Sequence, residues 1–295
     1  MERIMKYAIS HITQYRYKQT AFLSHNELFL IPRQTPVQHC MDHTLTVSPT
    51  PSAMSQRKDY FGNSVTATTV QVPHTLFEIS AKSRVDLIPN PAPVPEETVP
   101  WEQVIAAVRR HATPEDLDAF QYVFPSPMIP VSDDLARWVK DLFPPGAPLL
   151  AAALGVTEQI FTRFTYDPGA TTTTTPVATA FDLKRGVCQD FAHIAIACLR
   201  SLGLPARYVS GYLHTQPPPG KDRLKGAEAS HAWFAVYLPG TGWVDLDPTN
   251  NVMPFDQHLT LAWGRDYSDV TPVKGTVLGG GRHQLSVAVD VIRTD

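Results

Sequence analysis

Residues 185–202 read RGVCQDFAHIAIACLRSL, a stretch that predicts an apolar helix with a cysteine at its start. Residues of its apolar face recur at helical spacing, namely Phe191, Ile194, Ala195, Cys198, Leu199 and Leu202. Gly203 and Pro205 end the helix, because glycine adopts the left-handed terminal conformation readily and proline cannot continue the hydrogen-bond ladder. Cys188 therefore lies in or just before the first helical turn.

The position of Cys188 predicts a reactive thiol. Unpaired N–H groups and the positive end of the helix dipole stabilise a thiolate there, and the same amides can bind an oxyanion. The chain has three cysteines, and so small and uneven a number cannot form a disulfide framework. Cys198 falls inside the apolar helix, where a thiol behaves as a small hydrophobe, and Cys40 lies in a polar loop between predicted strands.

Two strands and a tight turn follow the helix. Residues 206–214 and 231–238 carry the aromatic and β-branched side chains typical of strands, and a turn at 239–242 returns the chain along 243–247. The result is a predicted hairpin with His231 at its open end. Because a thiol nucleophile needs a base, this histidine is a candidate for that role.

The partner of this histidine comes from the returning strand. Simple pairing about the turn places Asn250 opposite His231. Asp247 falls opposite Phe234 and reaches the histidine only diagonally or through a bulge, and Asp245 lies further away. Because an amide can orient a histidine as a carboxylate can, pairing alone leaves both Asp247 and Asn250 open.

The chain as a whole predicts two domains joined by a linker. Residues 1–88 carry short alternating or β-branched runs separated by turn signals, the pattern of an antiparallel β-sandwich. Residues 89–100 are rich in proline, which makes a stiff and extended linker. Residues 101–295 combine helical patterns with strands and form the second domain, with a strand segment at its end. We therefore expect an α+β protein.

Composition excludes several classes of function. The chain of 295 residues has a formal net charge of −3 and no Lys/Arg-rich block, so neither nucleic acid nor a membrane surface is an expected partner. Its apolar runs are far shorter than the roughly 20 residues that span a bilayer. No secretory leader is recognisable, so we expect a cytoplasmic protein. A zinc site of Cys188, His193 and His231 lacks paired-ligand spacing, and no metal or cofactor is expected.

Four segments together resemble the bacterial transglutaminase-like cysteine enzymes. They are GVCQDFA at 186–192, LPARYVSGY at 204–212, SHAW at 230–233 and GWVDLDPTN at 242–250. The likeness covers nearly the whole chain and includes DYFGN at 59–63 and GRDYSDV at 264–270. It implies a papain-like core, in which the nucleophile helix packs on an antiparallel sheet, behind an N-terminal β-rich domain.

The resemblance also implies a catalytic triad. It assigns the nucleophile to Cys188, the general base to His231 and the orienting carboxylate to Asp247, which favours Asp247 over Asn250. The implied reaction is acyl transfer through a thioester, and hydrolysis of amide or peptide bonds is the leading hypothesis. The alternatives are a protein-glutamine transglutaminase, in which an amine replaces water, and a catalytically silent binding module.

Expectations about partners follow from the same resemblance. It implies a peptide or protein substrate and a link to peptide-forming ATP-grasp enzymes. The polar segment at residues 215–230 has the length and polarity of a lid over the site.

Overall fold

Two antiparallel sheets, a short two-stranded parallel sheet and a layer of helices make up the protein, in a computed structural model that describes residues 4–91, 93–215 and 230–295. The strands are β1 (Met5–Leu28), β2 (Gln38–Ser48), β3 (Ala53–Lys58), β4 (Ser64–Val70), β5 (His74–Leu87), β6 (Thr165–Tyr166), β7 (Arg185–Gly186), β8 (Ala206–Leu213), β9 (Ser230–Leu238), β10 (Gly242–Leu246), β11 (His258–Gly264), β12 (Val273–Gly279) and β13 (His283–Arg293). The helices are α1 (Trp101–Arg110), α2 (Pro114–Phe120), α3 (Asp133–Val139), α4 (Leu149–Arg163), α5 (Val177–Leu183), α6 (Cys188–Ser201) and α7 (Tyr267–Val270). This mixture confirms the α+β class. The segment at 215–230 that we expect to act as a lid lies, for residues 216–229, outside the described ranges.

Strand β1 organises the larger, seven-stranded sheet. It is 24 residues long, and its side chains alternate between buried and exposed positions, as expected for a strand with one face on a core. Its first part pairs with β5 and β13, and its last part pairs with β4 and β12. Side chains from β2, β4 and β5, among them Val47, Val70 and Phe77, share one core with β1. The N-terminal region is therefore β-rich and antiparallel.

The last two strands of the chain belong to this larger sheet. The sequence predicts that residues 101–295 form the second domain, but β12 pairs with β1 from Ala21 to Leu28 and β13 pairs with β1 from Tyr7 to Tyr17. Each part of β1 therefore has two partners, one from the N-terminal strands and one from the returning chain. Hydrogen bonding therefore groups the C-terminal strands with residues 1–88.

The smaller sheet supports the helix that carries the cysteine. Its strand order is β10-β9-β8-β11, and all of its pairs are antiparallel. Phe234 and Val236 of β9 share a buried core with Ile194 and Leu199 of α6. This packing confirms the expected core, a helix laid on an antiparallel sheet.

Helices α2 and α3 begin at side chains that cap them. Thr113 accepts a hydrogen bond from the Asp116 N–H at the start of α2, and Ser132 accepts one from the Asp134 N–H at the start of α3. Within the described ranges, none of the helices combines the length and the apolar character needed to cross a membrane.

Candidate active site

Helix α6 presents Cys188 as its first residue, and Val187 is the extended residue before it. Asp190 folds back over this start, because its Oδ2 accepts hydrogen bonds from the Val187 N–H at 2.8 Å and the Thr171 hydroxyl at 2.6 Å. A Cβ atom on Gly186 would meet the same carboxylate oxygen at 2.5 Å, which explains the glycine before the cysteine. Asp190 therefore caps the helix and fixes the position of the thiol.

His193 has a structural role on the same helix. Its side chain is 2% exposed, its Nε2 accepts a hydrogen bond from the Tyr267 N–H at 3.2 Å, and its ring contacts Tyr208. Burial lowers the pKa of His193 to about 4, so that it stays neutral. The Nε2 atom of His193 is therefore already engaged by a backbone amide.

The structure brings His231 and Asp247 together. The His231 Nε2 and Asp247 Oδ2 atoms are 2.8 Å apart, and the two side chains are 10% and 0% exposed. The same imidazole hydrogen-bonds Cys188. The three residues named from the sequence therefore form one cluster. Because Nε2 is directed to the carboxylate, Nδ1 is the nitrogen left for the thiol.

The hairpin that carries this pair differs from the predicted register by one residue. Asp245 pairs with Ala235 and Leu246 with Phe234, since only three residues, 239–241, separate the paired ends of β9 and β10. The ladder stops there, and Asp247 forms a bridge with Val252 instead. Leaving the ladder lets Asp247 approach His231 without the diagonal reach or the bulge that the predicted register requires.

Asn250 supports Asp247 rather than His231. Its Nδ2 donates to Asp247 Oδ2 at 2.7 Å, whereas the distance to His231 Nε2 is 3.4 Å. Because Nε2 uses its hydrogen in the bond to the carboxylate, it offers no lone pair to the amide. Asn250, which the predicted pairing places opposite His231, thus hydrogen-bonds the carboxylate instead.

A second histidine, which sequence reasoning missed, completes the cluster. His258 Nε2 lies 2.9 Å from Asp247 Oδ2, and its side chain is 6% exposed. The ligand-type atoms of His231, Asp247 and His258 all lie within 4.8 Å of one another, the arrangement among the described residues that most resembles a metal site. Both imidazole nitrogens, however, face an oxygen that accepts their hydrogens, so the cluster is internally hydrogen-bonded. The one available signal in the sequence is a histidine that opens the strand after the DPTN segment.

Hydrogen bonds reverse the effect of burial on the pKa values of His231 and Asp247. Burial by itself lowers the pKa of His231, but its bonds to Asp247 and Cys188 raise that pKa to about 10. Burial by itself raises the pKa of Asp247, but its bonds from His231 and His258 hold that pKa well below its ordinary value. The pair is therefore an imidazolium and a carboxylate at neutral pH.

Three tyrosines, Tyr166, Tyr208 and Tyr267, lie near enough to Cys188 for its charge to affect their pKa values. Burial is the largest cause that raises the pKa of each of these tyrosines, and a negative charge on Cys188 would raise it further. Tyr166 is 52% exposed, whereas Tyr208 is buried. Tyr267 belongs to the GRDYSDV segment, and its backbone N–H donates to His193 of the nucleophile helix.

Asp247→Asn is expected to lower the free energy of unfolding by about 3–5 kcal/mol, because it leaves two buried imidazoles without their carboxylate. The pKa of Asp247 is lowered in the folded protein. Its contribution to the free energy of unfolding is therefore present above about pH 4 and is lost as the pH falls through the pKa of the folded state. The pKa of His231 is raised, so its contribution is full below about pH 6.5 and is lost as the pH rises through about 10. Denaturant unfolding should therefore show the largest difference between about pH 4 and 6.5.

Asp245→Asn is the matched control for this experiment. Burial raises the pKa of Asp245, so its ionised form destabilises the fold and its removal should not lower stability at neutral pH. A pH-independent loss for Asp247→Asn, or an equal loss for both variants, would contradict the assignment of the ion pair.

Comparison with known proteins identifies the family. Residues 7–86 match the bacterial transglutaminase-like N-terminal region, and residues 137–248 match the transglutaminase-like superfamily. An uncharacterized protein of Mycobacterium tuberculosis is 37% identical over 97% of this chain and 92% of its own length. One from Mycobacterium leprae is 34% identical over 97% of this chain and 98% of its own length. The chain belongs to the bacterial transglutaminase-like proteins.

A solved structure agrees with this fold. The crystal structure of a Cytophaga hutchinsonii protein, named as a candidate cysteine protease, superposes with a TM-score of 0.77 over 99% of this chain and 92% of that one, at 23% identity. A protein-glutamine gamma-glutamyltransferase of Pseudomonas aeruginosa is 34% identical over 114 residues, which are 35% of this chain and 17% of that protein. Family membership supports an enzyme with cysteine-based catalysis.

Proposed function

We propose that the protein is a cysteine hydrolase that cleaves amide or peptide bonds in a peptide or protein substrate. The observation that supports this most is the placement of His231, whose Nε2 lies 2.8 Å from Asp247 Oδ2 while the same ring hydrogen-bonds Cys188 at the start of α6. A thiol at a helix start, a base and an orienting carboxylate are the parts of a thiol acyl-transfer site.

The first half of the proposed reaction forms a thioester. His231 holds the proton of Cys188, and the thiolate attacks the carbonyl carbon of the substrate. A C–S bond forms, and the π electrons of the carbonyl move to its oxygen. When the tetrahedral intermediate collapses, the C–N bond breaks and His231 gives its proton to the leaving amine. The acyl group then remains on Cys188.

The second half returns the enzyme to its starting state. Water attacks the thioester as His231 takes its proton, the C–S bond breaks, and a carboxylic acid leaves. His231 keeps the proton that it took from water, so the thiolate–imidazolium pair is restored. Asp247 stays ionised throughout, fixes the tautomer of His231 and stabilises the imidazolium.

The start of α6 supplies donors for the oxyanion. Cys188 and Gln189 are the first two helical residues, and N–H groups at these positions have no carbonyl partner within a helix. The helix dipole adds positive potential at the same place. A donor of this kind contributes about 10²–10³ in rate.

A protein-glutamine transglutaminase is the second candidate. The partial likeness to the Pseudomonas aeruginosa protein-glutamine gamma-glutamyltransferase favours it. The thioester is common to both reactions, and they differ in whether water or an amine attacks it. A silent binding module is disfavoured, because the nucleophile, base and carboxylate positions are all occupied by competent residues.

Alkylation of the thiols tests the nucleophile directly. We expect Cys188 to react with iodoacetamide at pH 7 at least about 10²-fold faster than Cys40 or Cys198, as measured by mass spectrometry of tryptic peptides. Burial raises the pKa of both other thiols, and Cys198 is 0% exposed. As a control, His231→Ala should slow alkylation of Cys188 and leave that of Cys40 unchanged. Faster alkylation of Cys40 or Cys198 would remove the basis of the proposal.

A peptide library distinguishes the two candidate functions. The protein is incubated with the library in the presence and in the absence of a primary amine, and the masses of the products are measured by mass spectrometry. Cleaved or deamidated peptides in both samples support the hydrolase. Products that carry the amine would establish the transferase instead.

A further inference from the structure

Two imidazoles bind one carboxylate oxygen in the candidate site. Asp247 Oδ2 lies 2.8 Å from His231 Nε2 and 2.9 Å from His258 Nε2, and the two rings are 5.8 Å apart between centroids. A single orienting histidine–carboxylate pair is sufficient for the proposed chemistry. The second imidazole therefore requires a separate explanation.

The fold holds His258 rigidly in this place. It is the first residue of β11 and pairs with Leu213 of β8. Its ring packs edge-on against the fully buried Trp233, with centroids 5.0 Å apart at 84°. A polar side chain 6% exposed is costly to bury without a partner, and the partner here is Asp247.

The hydrogen bonds determine which nitrogens carry hydrogens. An ionised carboxylate can only accept, so both Nε2 atoms that face Oδ2 must be protonated. The other oxygen, Oδ1, accepts from the Thr249 N–H at 2.9 Å and the Asn250 N–H at 3.3 Å. The carboxylate is thus held at both oxygens. Of the residues that donate to Oδ2, Asn250 belongs to the 247–250 turn and His231 is the base. His258 is the donor from outside both.

We propose that His258 is a positioning residue, whose Nε2–H holds Asp247 Oδ2 in the orientation that presents His231 to Cys188. This inference rests on the proposed function, because it assigns to His258 a role in maintaining the thiolate–imidazolium pair. Removing a donor from an ionised, buried carboxylate disfavours its charged form. Without that donor Asp247 pairs less firmly with the imidazolium of His231, and the thiolate is then less well stabilised by that imidazolium.

Within the described ranges, the charged groups that face His258 come from two sides. On its hydrogen-bonded side stand Asp247 and, beyond it, His231. On another side a cavity of about 350 Å³ is lined by His258 and Asp245, and the remaining residues of its lining are uncharged. Arg207 lies near Asp245 and offsets part of its charge. Asp247 is thus the group through which removal of His258 acts on His231.

The test compares two variants of the full chain. His258→Phe keeps a planar ring and removes the donor, whereas His258→Gln keeps an N–H that can reach Oδ2. The readout is the rate of Cys188 alkylation by iodoacetamide from pH 5 to 10. We expect His258→Phe to shift the acid limb of the profile upward by about one pH unit, which is about a tenfold slower reaction at pH 6, with little change above pH 9. His258→Gln should stay within about twofold of the unchanged protein.

A second buried histidine provides the control. His11 is 1% exposed, and its ring nitrogens bond Tyr212 and Thr13. His11→Phe should leave the alkylation profile unchanged. If His258→Phe is folded by circular dichroism and its profile matches that of the unchanged protein, or if the rate falls equally at every pH, the positioning role is refuted.

A measurement on the unchanged protein covers the case in which His258→Phe does not fold. Long-range ¹⁵N–¹H NMR of histidine-labelled protein reports the tautomer of each ring, and His258→Gln assigns the signal. Protonated Nε2 in His258 supports the inference, and a neutral ring protonated only on Nδ1 refutes it. Failure of the proposed function would give a different result, because Cys188 of the unchanged protein would then show no selective alkylation.

Discussion

Replacing Cys188 by alanine is expected to slow peptide-bond cleavage by at least about 10⁴-fold, because without the thiol no thioester can form. The backbone donors at the start of α6 and the substrate-binding surface remain, so a weak residual rate is the most that should survive. The measurement is product formation from the peptide library, followed by mass spectrometry over time. The fold should persist, because the cysteine is only partly buried at a helix terminus.

Cys40→Ala is the matched control for this prediction. Cys40 is also partly buried, and its thiol contacts the Asp42 carbonyl oxygen in the larger sheet. Its removal should leave cleavage within about twofold of the unchanged protein, as is usual for a substitution away from the chemistry. A Cys188→Ala protein that cleaves the library as fast as the Cys40→Ala protein would exclude covalent catalysis by this thiol.

Replacing His231 by alanine should lower the rate of cleavage by about 10³–10⁴-fold. The variant loses general acid–base help, which is worth about 10²–10⁴, and also the imidazolium that accompanies the thiolate. Asp247→Ala should cost about tenfold less than His231→Ala, because the aspartate orients and stabilises the imidazole without taking the proton itself. Rates at saturating substrate separate this loss in kcat from an effect on KM.

The double variant sharpens this comparison. If His231 and Asp247 act as one unit, His231→Ala with Asp247→Ala should cost no more than His231→Ala alone, since effects within such a unit are strongly non-additive. Losses that multiply would mean that Asp247 acts independently of the base. Equal losses for the two single variants would point to a carboxylate that takes the proton.

The nucleophile helix was predictable because its signals are local. Apolar spacing gives the buried face of α6, and Gly203 takes the left-handed conformation, with φ of 83°, directly after the helix. The start at Cys188 is also encoded locally, because Asp190 caps the helix and Gly186 leaves room for that carboxylate. These features lie within about one turn of the residues that they control.

The partner of the histidine was not predictable from pairing alone. A turn one residue shorter than expected shifts the register, and the end of the ladder at Leu246 frees Asp247 from pairing rules. Strand geometry left Asp247 and Asn250 open, whereas the resemblance to the family favoured Asp247, whose carboxylate contacts His231 in the structure. His258 was missed for a related reason, since it reaches Asp247 from a different strand.

The sequence by itself determined the α+β class, the helix that begins at Cys188 and the histidine at the open end of the hairpin. Spacing, capping and turn chemistry act over a few residues, so they can be recognised without knowing the rest of the fold. Only the tertiary structure decided that β12 and β13 return to β1 and that Asp247 Oδ2 serves both His231 and His258. Those contacts join segments far apart in the chain, and their partners are selected by which strand edges and buried charges remain open once the sheets have packed.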